Sequence, residues 1–202
     1  MTTLESAAEF NLLLIKNFFD ARTCGKVLAE MRSARSGPAT VYMGVASGAV
    51  DERVRKATRI VPSPETTEFV RRLLLERKGA VEEHFQISLS DCEDPQFLRY
   101  SVGDFFVTHQ DGNTGLLQFD RERVRRVSVI IFLSSQSEAP EPGTYSGGSL
   151  VFYGWGLGAG REDRCLSLGG ESGTLVAFRP ETTHEVTPVT HGERYSIACW
   201  YK

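Results

Sequence analysis

The run Phe105-Phe106-Val107-Thr108-His109-Gln110-Asp111 sets a histidine and an aspartate two positions apart after a stretch of β-forming residues. On a strand, alternate side chains share a face, so His109 and Asp111 would point at one ion while Gln110 turns away. A second histidine, His184, follows about seventy residues later. Two neutral imidazoles and one carboxylate suit Fe(II), and three ligands to a six-coordinate ion leave three positions open for chemistry. By itself the triplet is equally explained by a surface turn at Asp111-Gly112-Asn113. Its surroundings must separate the two readings.

Ten positions after His184 comes Arg194, at the head of Arg194-Tyr195-Ser196-Ile197. A guanidinium directed into a folded interior is costly to desolvate unless a carboxylate meets it, and bidentate pairing with a planar carboxylate is what an arginine fork does best. A dicarboxylate cosubstrate would be such a partner. His84, at a helix end, and His191, in the turn before Gly192, are out of register with this group. The cluster Arg121, Arg123, Arg125 and Arg126 is interleaved with Asp120 and Glu122, which reads as a solvated face.

These side chains need a frame to hold them. From Asp20, a good N-cap, the residues Cys24, Val27, Leu28 and Met31 follow the spacing of one buried helix face, ending near Ser36-Gly37-Pro38. A second helix is predicted from Ser63 as cap and Pro64 at its first position, with Phe69, Val70, Leu73 and Leu74 on one side, running toward Phe85. From residue 97 the period changes. Strands are predicted at 97–102, 105–109, 127–134, 149–153, 174–179 and 194–201, with 40–43 and 53–61 as additions at a sheet edge. Many short strands after two helices fit an α+β, mainly β fold: a double-stranded β-helix (jelly roll) with the N-terminal helices packed on one sheet. The glycine-rich stretches 146–148 and 154–160 read as turns or loops within it. One domain over 1–202 is expected, with helical support to about residue 95 and the catalytic core from about 96.

With 41% hydrophobic residues the chain can bury a full core, and a net charge of −3 predicts no strong nonspecific attraction to nucleic acid or anionic membrane. Cys24, Cys92, Cys165 and Cys199 lack Cys-x-x-Cys spacing and read as reduced thiols of a cytoplasmic protein. The longest early apolar stretch, 12–15, is too short for a signal core or a membrane span, so a soluble, non-secreted protein is expected.

The order of Leu98-Arg99-Tyr100, Gly103, His109-Gln110-Asp111, residues 127–133, Gly147-Gly148-Ser149-Leu150-Val151-Phe152, Gly173-Thr174-Leu175-Val176-Ala177-Phe178, His184-Glu185-Val186 and residues 192–200 resembles the 2-oxoglutarate and Fe(II)-dependent dioxygenases of the prolyl 4-hydroxylase-like family. The resemblance covers roughly residues 97 to 202. It implies that His109, Asp111 and His184 bind Fe(II), that Arg194 pairs with the far carboxylate of 2-oxoglutarate, that Tyr100 hydrogen-bonds the same carboxylate, and that Leu150 packs against the cosubstrate. O2 is the second cosubstrate implied, with ascorbate as an optional addition. The family commonly carries a tyrosine on the strand occupied here by Ile130, Ile131 and Phe132, and this chain lacks it. Asp111 favours hydroxylation over halogenation, because related halogenases lack the carboxylate.

A prolyl residue of a peptide or protein is the first substrate the resemblance implies, and a free amino acid or small metabolite is the alternative. A non-catalytic jelly-roll binding module would share the strand pattern without needing His109, Asp111, His184 and Arg194 together. Nucleic-acid demethylation lacks its basic, aromatic-lined groove here. Segments 112–120, 138–145 and 154–164 should border the open side of the metal, where Trp155, between Gly154 and Gly156, would serve as a lid or stacking surface. The oligomeric state is left open.

Overall fold

Residues 7–41, 49–112, 124–154 and 164–202 are described by a computed structural model, and among them two antiparallel sheets face each other across an apolar interior. In chain order the elements are β1 (Leu13–Ile15), α1 (Ala21–Ser33), β2 (Arg35–Pro38), β3 (Arg55–Lys56), β4 (Thr58–Val61), α2 (Pro64–Glu76) and α3 (Lys78–Phe85). There follow β5 (Gln96–Tyr100), β6 (Phe105–His109), β7 (Val127–Phe132), β8 (Ser146–Gly147), β9 (Leu150–Gly154) and β10 (Arg164–Leu168). The last are β11 (Leu175–Phe178), β12 (Thr183–Val186), β13 (Val189–His191) and β14 (Arg194–Tyr201). The larger sheet runs β1-β11-β7-β14-β5-β4-β2, the smaller β10-β9-β12-β6-β3, and β13 pairs with β8 in a short ribbon. This is the expected jelly roll.

Strand β14 shows how the layers are built. All eight of its residues are buried, because both of its faces are covered. Tyr195, Ile197, Cys199 and Tyr201 turn outward and join Val27, Met31, Val70, Leu74, Val81 and Phe85 of the helices in one apolar cluster. Ala198 and Trp200 turn inward and join Leu150, Phe152, Leu166 and Val186 of the smaller sheet in a second. The period of two therefore divides one strand between a helix–sheet core and a sheet–sheet core.

The helix caps follow the sequence: the Asp20 carboxylate accepts from the Thr23 amide at 2.7 Å, and the Ser63 hydroxyl accepts from the Thr66 amide at 3.2 Å. Two helix boundaries differ from expectation. Helix α1 stops at Ser33, and Ser36-Gly37-Pro38 lies in β2, paired with β4 at the sheet edge. The single helix expected from Pro64 to Phe85 is broken at Arg77, whose amide bonds back to Leu74 and Leu75. Leu74, Val81 and Phe85 sit at i, i+7 and i+11, so the apolar period runs through the break and cannot report it. Of the expected edge pieces, 53–61 supplies β3 and β4. Val41 makes one bridge to Ala49, and residues 42–43 lie outside the described residues. Strands β1, β2, β8, β10, β12 and β13 go beyond the expected set, β8 falls in the 146–148 stretch that reads as a turn or loop, and His191 lies on β13 rather than in a turn. All four cysteines are free thiols, and no helix among the described residues is long and apolar enough to cross a membrane.

Candidate metal centre

Antiparallel pairing of β6 with β12 sets His109 directly opposite His184, with ring centroids 4.2 Å apart. Each ring is oriented by its own chain two residues back: His109 Nδ1 lies 2.8 Å from the Val107 carbonyl and His184 Nδ1 2.9 Å from the Thr182 carbonyl. With Nδ1–H donated to a carbonyl, the Nε2 lone pair of each ring is left for a metal. Phe106 stacks on His109 at 3.5 Å between centroids, and Phe178 packs edge-on to His184.

Asp111 reaches the pair by a route the sequence did not indicate. Strand β6 ends at His109, and Asp111 lies beyond it in a bend whose amides at 111 and 112 both donate to the Pro180 carbonyl, at 2.8 and 3.0 Å. Gly112 permits this approach, since a Cβ there would come within 2.7 Å of Pro180 Cβ. The carboxylate then stands 3.7 Å from His109 Nε2 through one oxygen and 3.7 Å from His184 Nε2 through the other. Gln110, expected to turn away, lines the same cavity and donates to the Thr183 hydroxyl at 2.9 Å.

One ligand atom from each of His109, Asp111 and His184 lies within 4.8 Å of the others, so one ion can touch all three. Burial, with the neighbouring His184, holds the His109 pKa down to about 3, so the ring is neutral and able to donate its lone pair. Burial alone would raise Asp111, but His184, His109 and Arg125 outweigh it and hold the carboxyl below its usual value. Neutral imidazoles beside an ionised carboxylate fit a divalent Fe(II) ion.

All six residues singled out in the sequence, His109, Asp111, His184, Arg194, Tyr100 and Leu150, line one cavity of about 270 Å³ between the sheets. Arg194 is 1% exposed. Its Nη1 donates to the Ser196 hydroxyl at 2.8 Å, whereas Nε and Nη2 have no partner. The guanidinium lies 5.1 Å from the Tyr100 ring centre and 5.2 Å from that of Phe132. Gly148, at φ +59°, leaves it room, because a Cβ there would meet Arg194 Cδ at 3.2 Å and Val189 Cγ2 at 2.8 Å. Orphaned, buried N–H groups of this kind fit a carboxylate guest and are costly without one. On the strand where the resemblance implies a tyrosine, Ile130 lines the cavity.

Several residues of the site carry no local sequence signal. Arg125, in a charge pattern that reads as a solvated face, is half-buried against Trp200, 3.8 Å from its ring centre, and forks onto Glu93 at 2.8 and 3.1 Å. Its remaining arm donates to the Asp111 carbonyl at 3.1 Å, which braces the metal-side bend. The charge pattern around it concealed this, and Arg121 and Arg123 lie outside the described residues. Tyr145, placed near the open side, is fully buried with Arg194 as a neighbour, and burial pushes its phenol up. Arg55, within a segment read as an edge strand, also lines the cavity. Trp155 and most of 154–164, the expected lid, lie outside the described residues, as do residues 113–120. His84 ends α3 and, like His191, takes no part in the metal cluster.

A family model described as the 2OG-Fe(II) oxygenase superfamily matches residues 95–202. A PKHD-type hydroxylase of Burkholderia thailandensis is 35% identical over 108 residues, covering 52% of this chain and 41% of that protein. One from Paracoccus denitrificans is 28% identical over 176 residues, covering 86% and 71%. The chain spans about half or less of the Burkholderia protein and of a Nitrobacter winogradskyi PKHD-type hydroxylase, 41% and 51% of their lengths. Among solved structures, a Pseudomonas putida prolyl-4-hydroxylase is similar at a TM-score of 0.69 and 22% identity, covering 99% of this chain and 96% of that one. A prolyl hydroxylase from Trichoplax adhaerens, in complex with a hypoxia inducible factor oxygen degradation domain peptide fragment, gives 0.68 and 18%, covering 98% and 86%. At these identities the structures share the fold.

Proposed function

Because the chain belongs to the 2OG-Fe(II) oxygenase superfamily, we propose that it is an Fe(II)- and 2-oxoglutarate-dependent hydroxylase acting on a prolyl residue of a peptide or protein. The observation that carries this reading is the pairing, within one cavity, of a His-Asp-His cluster with a buried arginine whose Nε and Nη2 have no partner. A binding module without turnover would gain nothing from leaving those donors unsatisfied.

His109 and His184 present neutral Nε2 lone pairs and Asp111 an anionic oxygen, and all three would hold Fe(II) on the side facing the cavity. Arg194 would take the far carboxylate of 2-oxoglutarate on Nε and Nη2, with the Tyr100 hydroxyl as a further donor to the same group. Leu150, Ile130 and Ala198 would form the apolar wall that excludes water from the cosubstrate. Bound Fe(II) with 2-oxoglutarate and O2 supplies the oxidising power to place hydroxyl on a C–H bond, giving succinate and CO2. The Asp111 carboxylate favours hydroxylation over halogenation, since related halogenases lack it. Ascorbate is an optional reductant.

The peptide substrate is supported by the kind of protein that shares the fold, one of which is solved with a peptide. The helices and the jelly roll act as one unit, since β14 carries both cores. The free thiols of the buried cysteines agree with a cytoplasmic site of action. The test is conversion of 2-oxoglutarate to succinate together with a mass gain of one oxygen on proline-containing peptides, run beside free amino acids. Wild type should show both, and His109→Ala should lose turnover and metal affinity together. Turnover that survives His109→Ala would reject the site.

A further inference from the structure

The cavity carries more positive charge than the proposed iron and cosubstrate consume. Its lining holds one carboxylate, Asp111, and four arginines at positions 55, 59, 125 and 194. If the hydroxylase reading holds, on which this inference rests, Asp111 and the two carboxylates of 2-oxoglutarate balance Fe(II) and Arg194. Arg125 is matched by Glu93. Arg55 is left over.

Arg55 is only 7% exposed. Its Nη1 donates to the Thr40 carbonyl at 3.2 Å, its Nε has no partner, and it pairs with no carboxylate among the described residues. The guanidinium stands over the Phe106 ring, 4.7 Å from its centre, and Phe106 in turn stacks on His109. One aromatic ring therefore separates this charge from a metal ligand. Arg55 comes from β3, beside β6 in the smaller sheet, whereas Arg194 comes from β14 in the larger one. The two guanidinia thus enter one cavity from opposite sheets, and an anion held by Arg55 is a different group from the one held by Arg194. A buried guanidinium with an orphaned N–H is costly until a carboxylate arrives, and that cost gives selectivity for a substrate that brings one.

We propose that Arg55 is the anchor for a carboxylate on the substrate itself, so that the preferred substrate carries an anionic group beside the C–H bond that is hydroxylated. The carboxylate comes either from a free molecule's own α-carboxylate or from an acidic side chain flanking the target residue in a peptide. Matched pairs separate these sources. The Fe(II)- and 2-oxoglutarate-loaded protein, kept free of O2, is titrated by calorimetry with L-proline against L-prolinamide, and with the end-blocked tripeptides Glu-Pro-Gly against Gln-Pro-Gly. In at least one pair the carboxylate member should bind about tenfold tighter or more, the size expected of a charge-assisted hydrogen bond in a desolvated site. Arg55→Gln keeps a donor for the Thr40 carbonyl but removes the charge, and should bring that ratio to within about twofold. Arg55→Lys should retain most of it.

A wild-type protein that prefers neither carboxylate, or a preference that survives Arg55→Gln, overturns the proposal. Titration of 2-oxoglutarate into the Fe(II)-loaded protein distinguishes the failures. No 2-oxoglutarate binding rejects the hydroxylase reading and this inference with it, whereas normal cosubstrate binding without a carboxylate preference rejects the role of Arg55 alone.

Discussion

Arg194 and Asp111 are both charged and nearly buried, and they hold their charge for different reasons. Asp111 sits among His184, His109 and Arg125, which together outweigh its burial. Arg194 has the Ser196 hydroxyl, the neighbouring Tyr145 phenol and two aromatic faces around it but no carboxylate among the described residues, so its charge is stabilised far less than that of a paired group. Replacing it with Met removes the two orphaned donors and the charge but leaves His109, Asp111 and His184 untouched. Arg194→Met should raise the concentration of 2-oxoglutarate needed for half-maximal turnover by about ten- to a hundredfold, on the scale of a lost charged hydrogen bond, while calorimetry finds Fe(II) affinity within about twofold of wild type. An unchanged 2-oxoglutarate dependence would show that the carboxylate is held elsewhere. His109, Asp111, His184 and Arg194 were legible in the sequence because their types and spacing are rare in combination. Arg55 and Arg125 were not, because an arginine's role depends on which charge it meets, and Glu93, the partner of Arg125, is remote in the chain.

The elements divide by how local their signals are. Helix α2 was readable from Ser63 and Pro64 at its start and from its apolar stripe, and β14 from eight residues without interruption. Strand β12 was not: Thr183 and His184 follow a polar turn, and only pairing with β6 on one side and β9 on the other makes the segment extended. That strand carries His184 of the candidate metal cluster, so the residue type is legible where the element that holds it is not. Strand β10 was hidden beside a glycine-rich stretch. The helices act at a distance from the cavity. Leu74 of α2 is fully buried in the outer core and belongs to no part of the cavity lining. Leu74→Ala should therefore cost about 2–5 kcal/mol by urea unfolding, with the apparent affinity for 2-oxoglutarate preserved. A loss below about 1 kcal/mol would mean that the helical layer is only loosely attached to the larger sheet.

For the whole molecule, the metal-free site is a store of acid sensitivity. His109 titrates at about 3 in the fold against an ordinary 6.5, and Asp111 is also held below its ordinary value. Both shifts are depressions, so the unfolded chain takes up protons first and stability falls with pH. The contribution of His109 is complete above about pH 6.5 and fades as pH drops toward 3, with Asp111 adding to the loss at the acid end. The melting temperature of the metal-free protein should hold steady above that pH and decline below it, and Fe(II) should move the decline to lower pH because bound metal competes with protons. A metal-free melting temperature unchanged between neutral pH and about pH 4 would rule out buried neutral His109 as the cause. The sequence by itself determined the jelly-roll class and the helix starts, and singled out His109, Asp111, His184 and Arg194 as the candidate site, because these follow from residue type, from periods of two and 3.6 and from the order of the motifs. Only the tertiary structure decided that Asp111 reaches His109 and His184 from a bend clamped to Pro180, that Arg125 braces that bend, and that Arg55 brings a further guanidinium into the cavity. Each of those depends on contacts between segments far apart in the chain, which no local pattern of residues encodes.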